Sequence, residues 1–236
     1  MKSETTLYGG CVTSDPREVA AAAVAYAKPR LRGWLHLVTS PVALACGIVL
    51  TVLAPTAAAT EAAAAYSAMA VLLFTTSAIY HRGHWSPRVE RYLKRVDHAN
   101  IFLFIAGSYT PFAVLALRGD ARIAMLAAVW SVAAAGAIFR LLWVGAPRWL
   151  YTPIYIGLGW AAAFVVPQLL HGAGAAAFVL IAAGGACYTF GGVVYGLKRP
   201  NPSPRWFGFH EIFHACTVVG FVCQYVAASL VVYRAA

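Results

Sequence analysis

Apolar residues run along this chain in long unbroken blocks, separated by short polar connections. Seven such stretches read as helices: Trp34–Leu53, Ala62–Tyr80, His98–Leu117, Ile123–Phe139, Trp149–Leu170, Ala175–Leu197 and Phe209–Tyr233. Each is close to the roughly 20 residues that cross the hydrocarbon core of a bilayer. Pro111 lies in the third and Pro153 and Pro167 interrupt the fifth; membrane helices tolerate this where neighbours satisfy the freed carbonyl. Gly192 and Gly196 form a G-x-x-x-G in the sixth stretch, spacing that lets another helix approach closely. The fold expected is an all-α bundle of seven transmembrane helices over residues 34–236, preceded by a polar tail over residues 1–33.

Composition strengthens this reading. The 236 residues are 61% hydrophobic and only 11% charged, against about 50% and 25% in soluble domains. That excludes a water-solvated globule, a disordered chain and a disulfide-stapled module. The five cysteines are odd in number, four of them lie inside apolar stretches, and they imply no disulfide framework. No cleavable signal peptide is expected, because the first 33 residues are mixed and polar.

The net charge of +10 would suggest nucleic acid in a soluble protein. Here the basic residues cluster between apolar stretches, so the partner expected is an anionic membrane surface and not nucleic acid. Fifteen of the 18 Lys and Arg fall in the tail and the second, fourth and sixth connections; three fall on the other side. The positive-inside rule then puts the N-terminus in the cytoplasm and the C-terminus outside. Trp34, Trp85, Trp149 and Trp206 stand near helix ends, as an aromatic belt requires.

Three groups of polar residues gather on the side with more positive charge. The second helix ends Ser77-Ala-Ile-Tyr-His81, the third begins at Asp97-His98, and the seventh begins His210-Glu-Ile-Phe-His214. His210 and His214, four apart, share one helix face, and His81 can add a third nitrogen; His84 or His98 could take its place. Three neutral imidazoles suit Zn²⁺ and leave a fourth position for water, though imidazole also serves Cu, Ni and Fe. Asp97 is the candidate acceptor for a proton of that water, and Ser77, one turn before His81, could hold the water or a substrate oxygen.

Plainer readings exist for each residue. Asp97 could be the N-cap of the third helix, and Ser77 could bond its own i−4 carbonyl. Glu211 could be a first-turn acid favoured by the helix dipole, on a face away from His210 and His214. His36 and His171 show no clustering in sequence and read as structural.

Taken together, these segments resemble the hemolysin III family, the bacterial branch of the PAQR (progestin and adipoQ receptor) proteins. The resemblance runs from Lys28-Pro-Arg-Leu-Arg-Gly-Trp-Leu-His36 almost to the end. It includes Ser77-x3-His81, the stretch Asp97 to Phe112 containing Ile-Ala-Gly-Ser-Tyr-Thr-Pro, Gly157-Leu-Gly-Trp160, Gly184-Gly-Ala-Cys-Tyr188 and His210-x3-His214. It implies a seven-helix bundle with a cytoplasmic N-terminus and a zinc ion near the cytoplasmic face. By motif, the ligands fall on His81, His210 and His214, with Asp97 touching the bound water and Ser77 close by. Relatives are linked to ceramidase-like hydrolysis of lipid amides, and some bacterial members to hemolysis or membrane fluidity. The long regulatory N-terminal domain of the receptors has no counterpart here, so hormone reception is not expected. Two functions remain open: a zinc-dependent hydrolase of lipid amides or esters in the cell membrane, or a non-enzymatic sensor, transporter or cytolysin with structural zinc.

The charge asymmetry makes a direct prediction. A reporter fused after Ala236 should report from the outer side; a cytoplasmic signal there contradicts the odd number of crossings.

Overall fold

The computed structural model describes residues 29–235. Most of the expected tail, including Cys11 and the charges Lys2, Arg17 and Lys28, lies outside the described residues. Helices α1 (Trp34–Val52), α2 (Ala57–Arg82), α3 (Pro87–Ala116) and α4 (Gly119–Leu142) are the first four spans. The fifth span is broken: α5 (Arg148–Gly159), a 3₁₀ segment (Ala161–Val165) and α6 (Val166–Ala173) follow one another across it. Helices α7 (Ala175–Leu197) and α8 (Phe209–Val232) are the sixth and seventh. Among the described residues there is no β-strand, only an isolated bridge between Ser203 and Phe207.

All-helical folding follows from the solvent. Hydrocarbon offers backbone groups no partner, so each span must close its own hydrogen bonds. Polar residues then punctuate the ends: the Thr56 hydroxyl accepts the Ala59 N–H (3.3 Å), and Pro87 opens α3 at a position whose N–H has no helical acceptor. Large apolar residues on the outer faces of the spans are exposed, as lipid contact requires, among them Val42, Ile48, Ile138, Phe164 and Val222.

Helix α3 is the axis of the bundle. It packs on α2, α4, α5, α6 and α8, and its core face carries Phe102, Phe104, Ala106, Phe112 and Ala113. Aromatic rings fill the space between helices: Phe74 meets Phe221 edge-on at 5.1 Å and His36 at 5.0 Å between centroids. Small residues set how close backbones come. A Cβ on Gly191 of α7 would sit 2.8 Å from the Cys216 Cβ of α8, so this antiparallel pair depends on that glycine. Gly192 and Gly196 face Thr152 and Ile156 of α5, so the G-x-x-x-G packs inside the monomer.

Two boundaries differ from the sequence expectation. Helix α3 begins eleven residues before His98 and is capped at Ser86, so Asp97 is not an N-cap but sits three turns inside the helix. The early turns carry Glu90, Arg91, Lys94 and Arg95, whose polarity hides them from a hydropathy pattern. The fifth span breaks between Trp160 and Val165: Pro153 lies inside α5, whereas Pro167 stands in the first turn of α6, where the helix resumes. There the Tyr109 hydroxyl donates to the Gly159 carbonyl (2.6 Å) and accepts from the Ala162 N–H (3.0 Å), satisfying the backbone that the break frees.

Candidate metal centre

The end of α2 and the start of α8 lie side by side, and their histidines meet. His81, His210 and His214 place one ring nitrogen each within 4.8 Å of the others. The Nε2 atoms of His81 and His210 face each other at 3.3 Å. Ring centroids are 4.8 Å apart for His81 and His210, 4.6 Å for His210 and His214, and 5.1 Å for His81 and His214. His81 and His214 are buried and His210 is half-buried.

This spacing fits a tetrahedral ion. Two imidazole nitrogens bound to Zn²⁺ at 2.0–2.1 Å span an edge of about 3.3–3.4 Å, the separation seen between His81 and His210. Without a cation, one neutral imidazole of the His81 and His210 pair can donate to the other at 3.3 Å; a metal ion would instead take a lone pair from each of the three rings. A metal site is the chemistry that this donor set suits, with the His214 nitrogen within 4.8 Å of the other two.

Asp97 stands beside the cluster without joining it. Its Oδ2 is 3.9 Å from Nε2 of His81 and 3.8 Å from Nδ1 of His98, beyond hydrogen-bond range of both. The Ser77 side chain, buried on the face of α2 that carries His81, lies against the Asp97 carboxylate. The i−4 carbonyl bond is made by Thr76, which donates to Leu72 at 2.7 Å.

His98 and His84, the other candidates for third ligand, are elsewhere. Nδ1 of His98 donates to the Lys94 carbonyl (2.7 Å), which leaves Nε2 to accept from the Tyr195 hydroxyl (3.2 Å). The Tyr151 and Tyr195 hydroxyls are in turn 3.2 Å apart, and the Arg140 and Arg148 guanidinium groups lie over these two rings at 4.2 and 4.3 Å. His98 thus belongs to an aromatic and cationic wall beside the cluster. His84 is exposed beyond the end of α2, and His171 is exposed at the far end of α6.

Two residues read as incidental in sequence are placed at the centre. His36 stacks on His214, with centroids 3.8 Å apart and planes 12° from parallel, and is 2% exposed. Its position two residues into the first span, at the depth of the other histidines, was the available signal. Glu211 is the first-turn acid that the sequence suggests, its Oε2 accepting the Gly208 N–H (2.8 Å), but it is also buried and forms an ion pair with Arg32. Its partner lies 179 residues away, which no local pattern reveals.

The Arg32 pair is one strand of a strap. Backbone bonds from Arg30 N–H to the Arg205 carbonyl (3.0 Å) and from Leu31 N–H to that of Trp206 (3.3 Å) tie the segment before α1 to the loop before α8. The Arg30 guanidinium lies 4.7 Å over the Trp206 ring. Gly33, at φ 80°, crosses so near His81 that a Cβ would meet the His81 Cβ at 2.6 Å.

A cavity opens from the cluster. Its polar end is lined by His36, Ser77, Asp97, His98, His210 and His214. From there it runs between α3, α5, α7 and α8, past mainly apolar side chains, to Tyr109, Trp160 and Gln224.

A family model described as "Haemolysin-III related" matches residues 24–225. Hemolysin-3 of Bacillus cereus is 34% identical over 140 residues, 59% of this chain and 64% of that protein. The Hemolysin-3 homolog of Bacillus subtilis (strain 168) is 31% identical over 140 residues, 59% of this chain and 65% of its own. The human monocyte to macrophage differentiation factor is 26% identical over 166 residues, 69% of this chain and 66% of its own. The chain thus spans just under two thirds of the length of these relatives.

The strap carries a prediction. Arg32→Ala leaves the Glu211 carboxylate buried without its cation, beside His210. The expected loss is about 3 kcal/mol, as for other broken buried pairs, read as a lower Tm in detergent. Adding Glu211→Gln should recover part of it, because the charge is then gone while an acceptor for Gly208 remains. An unchanged Tm in Arg32→Ala would show that the pair holds nothing.

Proposed function

The chain belongs to the hemolysin III family, and from that premise we propose that this multi-pass membrane protein is a zinc-dependent hydrolase of lipid amides or esters, acting from within the bilayer at its cytoplasmic face. The observation that carries the reading is a buried three-imidazole cluster that opens directly into an apolar cavity, with an uncoordinated carboxylate at the junction.

His81, His210 and His214 would hold the ion. Zinc there supplies a Lewis acid that polarises a carbonyl and makes water a nucleophile near neutral pH. The chain's own residues do the rest. Asp97, close to the ligands yet too far to bond them, is placed to take a proton from the attacking water and to return it to the leaving nitrogen or oxygen. Ser77 braces that carboxylate and can hold a substrate oxygen. The apolar cavity takes the acyl chain, which fixes the carbonyl at the polar end and keeps bulk water from the reacting atoms. The substrate enters from the membrane along the apolar cavity, which opens between the helices.

Asp97→Asn tests this reading. The substitution keeps the shape and an acceptor oxygen but removes the group that takes the proton. Hydrolysis across a panel of ceramides, other lipid amides and lipid esters should fall by roughly 10²–10⁴, while metal content and Tm stay near wild type. Undiminished hydrolysis would refute the role of Asp97, and loss of metal would make Asp97 a ligand. No hydrolysis of any panel member by wild type would favour a sensor or transport protein with structural zinc.

A further inference from the structure

A buried polar atom with no partner costs free energy that native proteins rarely leave unrecovered. Among the described residues, six buried side-chain nitrogen and oxygen atoms lack a hydrogen bond: both ring nitrogens of His36, Nε of Arg95 and of Arg140, Oγ1 of Thr152 and the Tyr188 hydroxyl. Four of these six atoms belong to three residues that line the same cavity, His36, Thr152 and Tyr188. Such a concentration around one cavity points to a ligand that brings polar groups of its own.

The three lie at two depths. His36 and Thr152 are near the starts of α1 and α5, level with the histidine cluster, where the head of an amide or ester lipid would meet them. Tyr188 is far from the head. It stands in the middle of α7, and its ring packs against Gly220 of α8, which leaves it room. Gly220 is six residues beyond His214 on that helix, a rise of about 9 Å toward the opposite membrane face.

At that depth the neighbours of the Tyr188 hydroxyl are the Cys187 and Cys223 thiols, which are weak hydrogen-bonding groups, and side chains partly engaged elsewhere. Phe104 meets its ring edge-on, with centroids 6.2 Å apart. The Gln224 amide nitrogen donates to the Ile181 carbonyl (3.3 Å). The Thr189 hydroxyl donates to the Gly185 carbonyl (2.8 Å) and accepts from Trp160 Nε1 (3.0 Å). A water would need two to four polar partners to stay in such a place. An oxygen attached to the ligand's chain needs only one, because burial of the chain carries it there.

We infer that the cavity selects lipids whose acyl chain bears a second oxygen, a hydroxyl or carbonyl about 9 Å from the reacting head, and that Tyr188 hydrogen-bonds it. The inference rests on the proposed reading of the cavity as the acyl-chain site. It makes Tyr188 a specificity residue with no part in the bond-breaking step.

Binding, not turnover, tests it, with free fatty acids as the probe because they are the acyl product of amide or ester hydrolysis. Saturated acids of one length, either unsubstituted or with a single hydroxyl at successive carbons, compete with a fluorescent fatty acid on the purified full chain. Wild type should bind one mid-chain hydroxy acid roughly 5- to 10-fold more tightly than the unsubstituted acid, the worth of one net hydrogen bond. Tyr188→Phe should flatten that peak without weakening the unsubstituted acid. A flat wild-type profile, or a peak that survives Tyr188→Phe, overturns the inference while leaving the acyl-chain site standing. Failure of every acid to bind overturns both.

Discussion

Hydrocarbon gives a buried nitrogen or oxygen nothing to bond with, and this constraint shapes the whole molecule. It forces each span into a helix, and where the fifth span breaks, the Tyr109 hydroxyl takes over the freed backbone groups. The same rule makes the histidine cluster informative. Imidazoles from two separate helices bring three ring nitrogens together away from water, with two Nε2 atoms 3.3 Å apart, an arrangement that suits a shared cation. Their convergence is thus the feature on which the functional reading stands, and the central position of α3, which brings Asp97 beside them, follows from the same packing.

The approach to this cluster from the aqueous side is closed by the chain itself. The segment before α1 pairs with the loop before α8, Arg32 neutralises Glu211 in the first turn of α8, and Gly33 presses on His81. Two of the three candidate ligands therefore sit under contacts made by residues outside any span. The other approach, through the bundle, is apolar and long. An asymmetric chamber of this kind favours a ligand with a polar end and a hydrocarbon tail, and the unpaired hydroxyl of Tyr188 adds a second polar position along that tail.

Much of this was legible in the sequence, for identifiable reasons. Seven spans follow from hydropathy alone, since lipid-facing surfaces must be apolar over a fixed length. The pairing of His210 with His214 follows from helical repeat, and their nearness to His81 follows from an even number of crossings between them. Local pattern failed where tertiary contacts decide. Residues 87–97 are helical because α3 extends past the hydrocarbon, so no apolar run marks them. His36 and Glu211 find their partners in His214 and Arg32, both distant in sequence. The depth of His36, counted from the start of its span, was the one clue that topology offered.

The central claim is that three imidazoles hold a metal ion, and elemental analysis of purified protein tests it most directly. Wild type prepared without chelators should carry about one zinc per chain, the stoichiometry of a single tetrahedral site. The His210→Ala variant should lose most of it and melt at a lower temperature, because a ligand that binds only the native state stabilises it. Wild type that is folded, lipid-binding and free of any transition metal would contradict the account.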